Sequence, residues 1–216
     1  MTGLPEPDFW VLGAEPVRRA AVPTLAFKMR ANNTSGREVY AIVLTAQIQI
    51  EAAQRTYSDE TRERLREIFG EPERWGDTAR GVLWTREEHL VKGFTDSIRF
   101  DIRVPLTIDA EIAAVKYFSA VQGGKVPLTF HFSGTVLYCG ENDRLQITQI
   151  AWTSEAKFEL PIETWRESIA LHYPEGGVMR LGEQTLEELR TFRVARGLPS
   201  LEAAVHELLE AARTEV

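Results

Sequence analysis

From Thr24 to Arg30 the chain alternates: Leu25, Phe27 and Met29 fall on one side and Lys28 and Arg30 on the other, the period-two pattern of a half-buried strand. The segment "NNTSG" that follows carries turn chemistry. The longest alternation lies in "VYAIVLTAQIQIEA", where Ile42, Leu44, Ala46, Ile48 and Ile50 share one face and Thr45, Gln47, Gln49 and Glu51 the other. At Ser58 the period changes to that of a helix. Ser58 suits the N-cap, Asp59 and Glu60 put negative charge in the first turn, and Leu65, Ile68 and Phe69 supply an apolar stripe. Gly70 fits the left-handed position after the last turn, and Pro72 forbids continuation.

Farther on, "GVLWT" reads as a short strand and "DSIRFDIRVPL" as a clear one, with Ile98, Phe100, Ile102 and Val104 inward. In "DAEIAAVKYFSAV", Ile112, Val115 and Ser119 fall at helical spacing with Phe118 beside them, and Gly123 and Gly124 end the segment. "VPLTFHFSGTVLY" and "RLQITQIAW" flank the polar loop "CGENDR" and read as a hairpin, within which Gly134 marks a bulge or a close backbone approach.

The last quarter is helical. Pro161 fits the first helical position before "IETWRESIALHY", and Thr185 with Glu188 fits a capping box before "LEELRTFRVAR". Gly197 closes that helix, and Ser200 caps a final one with Leu201, Ala204, Val205, Leu208 and Leu209 on one face. Strands followed by helices predict an α+β fold: an antiparallel β-sandwich or strongly curved sheet with one inserted helix and a C-terminal helical group. We expect a single domain over 1–216, with a β-rich body at about 1–160 and a helical extension packed on it at about 161–216.

Composition narrows the chemistry. With 32 acidic against 25 basic residues, a net charge of -7 and scattered Lys and Arg, no nucleic-acid partner is expected. One cysteine, Cys139, excludes an internal disulfide and any multi-cysteine metal site within one chain. No basic and apolar leader opens the sequence and no apolar run is long enough to span a bilayer, so the expectation is a cytoplasmic protein without membrane insertion. Four histidines, His89, His131, His172 and His206, lie outside any local catalytic motif. The paired carboxylates, such as Glu87 with Glu88, fall in charged, loop or capping contexts, and Walker, dinucleotide and HExxH patterns are missing. Neither a catalytic residue nor a cofactor or metal site is expected, and the chain reads as non-enzymatic.

Five tryptophans, Trp10, Trp75, Trp84, Trp152 and Trp165, each lie near the end of an expected element, where large rings seal the rim of a core. Interfaces also concentrate binding energy in Trp, Tyr and Arg. In "FGEPERWGDT", Trp75 pins the turn after the helix, while Arg74, Asp77 and Arg80 are left to meet water or a partner. Arg74, Trp75 and Trp84 are therefore the candidate binding residues.

The ordered strings "FGEPERWGDT", "GVLWT", "VPLTFHFSGTVLY", "LPIETWRESIALHYP" and "RVARGLPS" resemble an uncharacterised bacterial family, a domain of unknown function, from about Phe9 to Leu209. Members of that family are often encoded near nickel-iron hydrogenases of the high-affinity uptake type. The resemblance implies an accessory or maturation-linked role with a protein partner, a hydrogenase subunit or its assembly factor, and carries over no catalytic residue. Two alternatives stay open: a SecB-like holding protein offering an apolar groove to unfolded chains as a tetramer, and a hydrolase with a non-local site where His131 or His172 meets a carboxylate. Homo-oligomerisation is left open.

Overall fold

The computed structural model describes residues 3–78, 81–106, 112–140, 143–174 and 181–214. The chain divides into two compact units, residues 1–176 and 177–216. The first contains every described strand: β1 (Asp8–Pro16), β2 (Thr24–Asn32), β3 (Val39–Ile50), β4 (Val82–Phe94), β5 (Ser97–Pro105), β6 (Lys125–Cys139), β7 (Leu145–Gln149) and β8 (Glu155–Pro161). They form two antiparallel sheets that pack together. One runs β1-β2-β5; the other runs β4-β3-β6, with β7 and β8 sharing the far side of β6. This is the expected α+β sandwich.

Alternation decides which side chains enter the core. Ile42, Leu44, Ala46, Ile48 and Ile50 of β3 are all fully buried, and they meet Leu25, Phe27, Met29 and Ala31 of β2, which are equally enclosed. Phe27 stands at the centre, edge-on to Phe130 at 5.1 Å, Trp84 at 5.9 Å and Phe158 at 6.0 Å. Each such ring buried is worth roughly 1.5–3 kcal/mol of transfer free energy, and the edge-on pairs add about 0.5–1.5 kcal/mol. Gly134 of β6 lies opposite Leu44 with φ +134°, so the close backbone approach expected there is present.

Helix α1 (Asp59–Phe69) begins as expected, with the Ser58 hydroxyl accepting the Thr61 N–H at 3.3 Å, and ends at Gly70 with φ +72°. A short helix α2 (Trp75–Thr78) follows the corner. Helix α3 (Ile112–Ala120) differs from expectation in its buried face: Ala114, Tyr117 and Phe118 are buried, Val115 is half-buried and Ser119 is exposed. Placing two adjacent rings inward outweighs the expected stripe through Val115 and Ser119, because aromatic area dominates the transfer energy; the Ile112 side chain lies outside the described residues. Helix α4 (Ile162–Ala170) packs on β1 and β2, with the Ser168 hydroxyl donating to the Thr24 carbonyl at 3.0 Å.

Three sequence features of the sheets were not anticipated. β1 and β8 are strands of the sandwich, and β4 runs on through "REEHLVKGF" well past the short segment expected.

The second unit is a helical hairpin of α5 (Glu183–Ala195) and α6 (Leu201–Thr214). Gly197 at φ +66° ends α5, and the Ser200 hydroxyl accepts the Ala203 N–H at 3.0 Å, both as expected. The expected capping box does not form: α5 starts at Glu183 with Gly182 as its cap, which leaves Thr185 inside the first turn. Of the expected α6 face, Ala204 is buried, whereas Leu208 and Leu209 are exposed.

Candidate functional site

The candidate binding residues separate into surface and core. Arg74 is exposed at the end of the turn Pro72–Arg74. Trp75 is buried: its indole N–H donates to the Gly70 carbonyl at 2.9 Å, and its ring stands edge-on to Tyr57 at 5.5 Å and Phe69 at 5.7 Å. The ring thus pins the corner after α1 and gives only its rim to a cleft of about 360 Å³ shared with Arg55 and Arg62. Trp84 is also buried, against Phe27 and, at 4.7 Å, Phe118. Trp84 thus meets the Tyr117–Phe118 pair of α3 directly, whereas Trp75 reaches it through Tyr57 and Phe69, each of which stands edge-on to Tyr117. Arg80 lies outside the described residues, and so does the side chain of Asp77.

Exposed tryptophan occurs elsewhere. Trp152 is 93% exposed and Trp10 43%, while Trp165 stacks on Phe118 at 5.5 Å. The position of Trp152 follows from the length of β6. One half of that strand pairs with β8 and the other with β7, so the chain must leave one partner and join the next. It leaves with the Ile150 N–H bonded to the Gly134 carbonyl at 3.0 Å and returns with the Ser154 carbonyl accepting the Phe132 N–H at 2.9 Å. The tight turn between, closed by Ser154 N–H to Ala151 O at 2.9 Å, throws Trp152 outward.

Trp10 lies on β1, one residue past Phe9, which is buried and 4.7 Å from Phe132. Alternation then turns the Trp10 ring to the opposite face. A cleft of about 360 Å³ lies between these segments, lined by Trp10, by Ala151 and Thr153 on either side of Trp152, and by Glu6, Asp8 and Glu155; the Trp152 ring itself does not line it. One exposed ring beside three carboxylates makes a site suited to a cationic segment, through ring face and charge together.

Histidines and carboxylates do meet, in two places. His131 Nδ1 is 4.0 Å from a Glu155 carboxylate oxygen, with both side chains close to half exposed. His172 is held by the backbone, its ring nitrogens 3.3 Å from the Ser168 carbonyl and 3.0 Å from that of Ala20. The other meeting place was not legible in local sequence: a groove of about 630 Å³ where β4 lies against β5, lined by Glu87, Glu88, His89, Arg99, Asp101 and Arg103. His89 stacks on Phe100 at 5.3 Å, and burial lowers its pKa, with Asp101 opposing. Burial raises the pKa of Glu87, against a hydrogen bond donated by the Thr85 hydroxyl at 2.8 Å. Among the described residues no three His, Cys, Asp or Glu side chains converge to hold a metal ion, and no described helix is long and apolar enough to cross a membrane.

A family model matches residues 4–216. The chain belongs to DUF6084, a family of unknown function. No curated protein matches this DUF6084 sequence. Among solved structures, the DUF6084 chain is similar to the CARDB domain of the PF1109 protein from Pyrococcus furiosus, solved with di-metal ions, at 9% identity over 73% of this chain and 87% of that one, with a TM-score of 0.29. The putative ApaA protein from Bordetella pertussis matches at 14% identity over 72% and 93%, with a TM-score of 0.30. β-Glucosidase 3B from Thermotoga neapolitana matches at 12% identity over 72% of the DUF6084 chain, which spans 17% of that enzyme, with a TM-score of 0.27. Scores this low carry no argument about activity.

Proposed function

We propose that this chain is a non-enzymatic accessory protein that binds another protein, and that the partner lays a basic segment across the Trp10–Trp152 cleft. The observation that carries the reading is the partly exposed Trp10 ring in one cleft with Glu6, Asp8 and Glu155, walled on its other side by the turn that carries the 93% exposed Trp152. Large aromatic rings held in water are costly unless something covers them, and Trp is the residue most enriched among interface hot spots. Arg74, with the rims of Trp75 and the Arg55–Arg62 cleft, is a second place for contact, made by charge rather than by the buried rings. The family resemblance supports a nickel-iron hydrogenase subunit or its assembly factor as the partner, and the single cysteine, which fits a reducing compartment, supports the cytoplasm as the meeting place.

The experiment is retention of partners on the tagged full-length chain from its native host grown on hydrogen. The wild type retains a hydrogenase subunit or assembly factor, and Trp152→Ala or Glu155→Lys lowers that retention tenfold or more, as expected for a hot-spot ring and its charged neighbour. Retention unchanged in both variants, or no protein enriched by the wild type, refutes the reading.

A further inference from the structure

Among the described residues every edge of the sandwich except one is guarded. β4 lies against β5 and β1 lies against β8, so each pair screens its members' open sides. All four also carry charge: Arg86, Glu87, Glu88 and Lys92 on β4, Arg99, Asp101 and Arg103 on β5, Asp8 and Glu15 on β1, and Glu155, Lys157 and Glu159 on β8. Proteins use such charges to stop strand edges from pairing. β7, "LQITQ", has no charge, no proline and no bulge, and among the described residues nothing pairs with its outer side.

The polarity of that side is fixed by its neighbours. Arg144 O accepts from Gly140 N–H at 2.8 Å and Ile150 N–H donates to Gly134 O at 3.0 Å, so even-numbered residues turn their backbone toward β6. Antiparallel strands alternate, and Leu145, Ile147 and Gln149 therefore direct N–H and C=O groups away from the sheet. The side chains of Leu145 and Ile147 are 60% and 65% exposed on the outer face. There the cross-strand row Ala41, Leu137, Ile147 and its neighbours Val43 and Leu90 form an apolar strip that runs to the bare edge.

We propose that β7 pairs with β7 of a second copy about a two-fold axis at Ile147. Ile147 then faces Ile147 of the other copy and Leu145 faces Gln149, each pair exchanging both hydrogen bonds, and one antiparallel sheet runs from β4 of one copy to β4 of the other. What suits the partner to be a copy is the residue on the axis: a two-fold axis sets position 147 against itself, where a charge would repel its own copy and an isoleucine packs on it, and no other residue of β7 brings a charge to the pairing. The apolar strip also becomes continuous across the axis. A contact this small is reversible at micromolar concentration.

Sedimentation of the full chain from about 1 to about 200 μM, the range in which small interfaces dissociate, tests this. The wild type moves from monomer to dimer, and Ile147→Lys stays monomeric with an unchanged circular dichroism spectrum. In a Cys139→Ser background, Ile147→Cys cross-links to itself on oxidation, because directly opposed residues sit about 5.5 Å apart between Cα atoms, within disulfide range. Leu145→Cys does not, since its own copy lies about four residues, roughly 13 Å, along the strand. A wild type that remains monomeric throughout, a dimer untouched by Ile147→Lys, or Leu145→Cys cross-linking as readily as Ile147→Cys overturns the proposal.

Discussion

Gly134→Ala is the severest small substitution this fold can suffer. Gly134 sits on β6 opposite Leu44 of β3, at the point where β6 passes from β8 to β7, and its carbonyl accepts the Ile150 N–H at 3.0 Å. A Cβ there would fall deep inside the contact radius of the Val43 carbonyl oxygen, with the Val43 carbonyl carbon at 3.0 Å and the Leu44 Cα at 3.3 Å. All three are backbone atoms, so no rotamer change relieves the clash. The φ of +134° adds strain of about 1–3 kcal/mol for any side chain. Parting β3 from β6 locally sacrifices two or three ladder bonds at about 0.5–1.5 kcal/mol each. The sum, roughly 2–7 kcal/mol, is a large share of the 5–15 kcal/mol that stabilises a typical domain. At about 2–4 °C per kcal/mol, thermal unfolding followed by circular dichroism should show Tm lowered by about 4–30 °C, or no folded protein at all. Gly13→Ala is the control: the glycine has an ordinary φ and open space around it, and its Tm should stay within about 2 °C of wild type. If Gly134→Ala melted like Gly13→Ala, the close contact of β3 and β6 would be wrong.

Three further outcomes are expected. Trp84→Ala empties the space between Phe27 and Phe118 and should cost about 3–5 kcal/mol by chemical denaturation, whereas Trp152→Ala should change stability by less than about 0.5 kcal/mol; equal losses would contradict their burial. Asn33→Ala removes a buried amide that donates to the Arg37 and Thr95 carbonyls and accepts from the Ser35 N–H and hydroxyl, four hydrogen bonds that tie the turn together; a loss of about 2–4 kcal/mol is expected, and one below about 0.5 kcal/mol would show the clamp idle. In the β4–β5 groove, which Glu88, Arg99, Asp101 and Arg103 also face, the raised pKa of Glu87 means that its contribution to stability is present below the ordinary 4.5 and is lost as pH rises through the raised value. Glu87→Gln should therefore raise Tm at pH 7, by less than about 1 kcal/mol equivalent for so accessible a group, and not at pH 4. His89 has the opposite sense: its lowered pKa penalises folding as pH falls below 6.5, so His89→Phe should gain on wild type between pH 7 and 5. Tm differences that stay flat with pH would refute both assignments.

What the sequence made legible follows the physics of burial. β3 announces itself because it lies between two neighbours, with one face wholly in the core and the other not, so its alternation is unbroken for five inward residues. β1 hides because a bulge between Val11 and Gly13 breaks its register, and Trp10, Val11 and Leu12 then read as a run without a period. β4 hides because it is an edge: beyond Trp84 the charged Arg86, Glu87 and Glu88 fall on both faces, and of the residues that follow only Val91 is fully buried. The corner at Trp75 was legible down to its role, since Gly70 and Pro72 leave the following ring only one place to go. Which tryptophans stay in water was not. That depends on pairing between strands far apart in sequence, and Trp152 and Trp165 look alike until β6 is known to have two partners on one side.

β6 joins these observations. Its fifteen residues exceed what either β7 or β8 can match, so two strands must share one side of it, and the shift from one to the other has to occur beside a residue that tolerates it. Gly134 is that residue. The crossing turn, closed between Ala151 and Ser154, projects Trp152, while among the described residues the outboard strand β7 has no opposing sheet edge to close against, as β8 has in β1. The exposed indole and the unguarded edge are thus two results of one mismatch in strand length. They lie apart along the chain's course, Trp152 on the turn that walls the carboxylate cleft and Ile147 on the outer sheet face. A protein that gathers a partner at one and its own copy at the other can do both at once, and a change confined to Ile147 leaves the indole where it was.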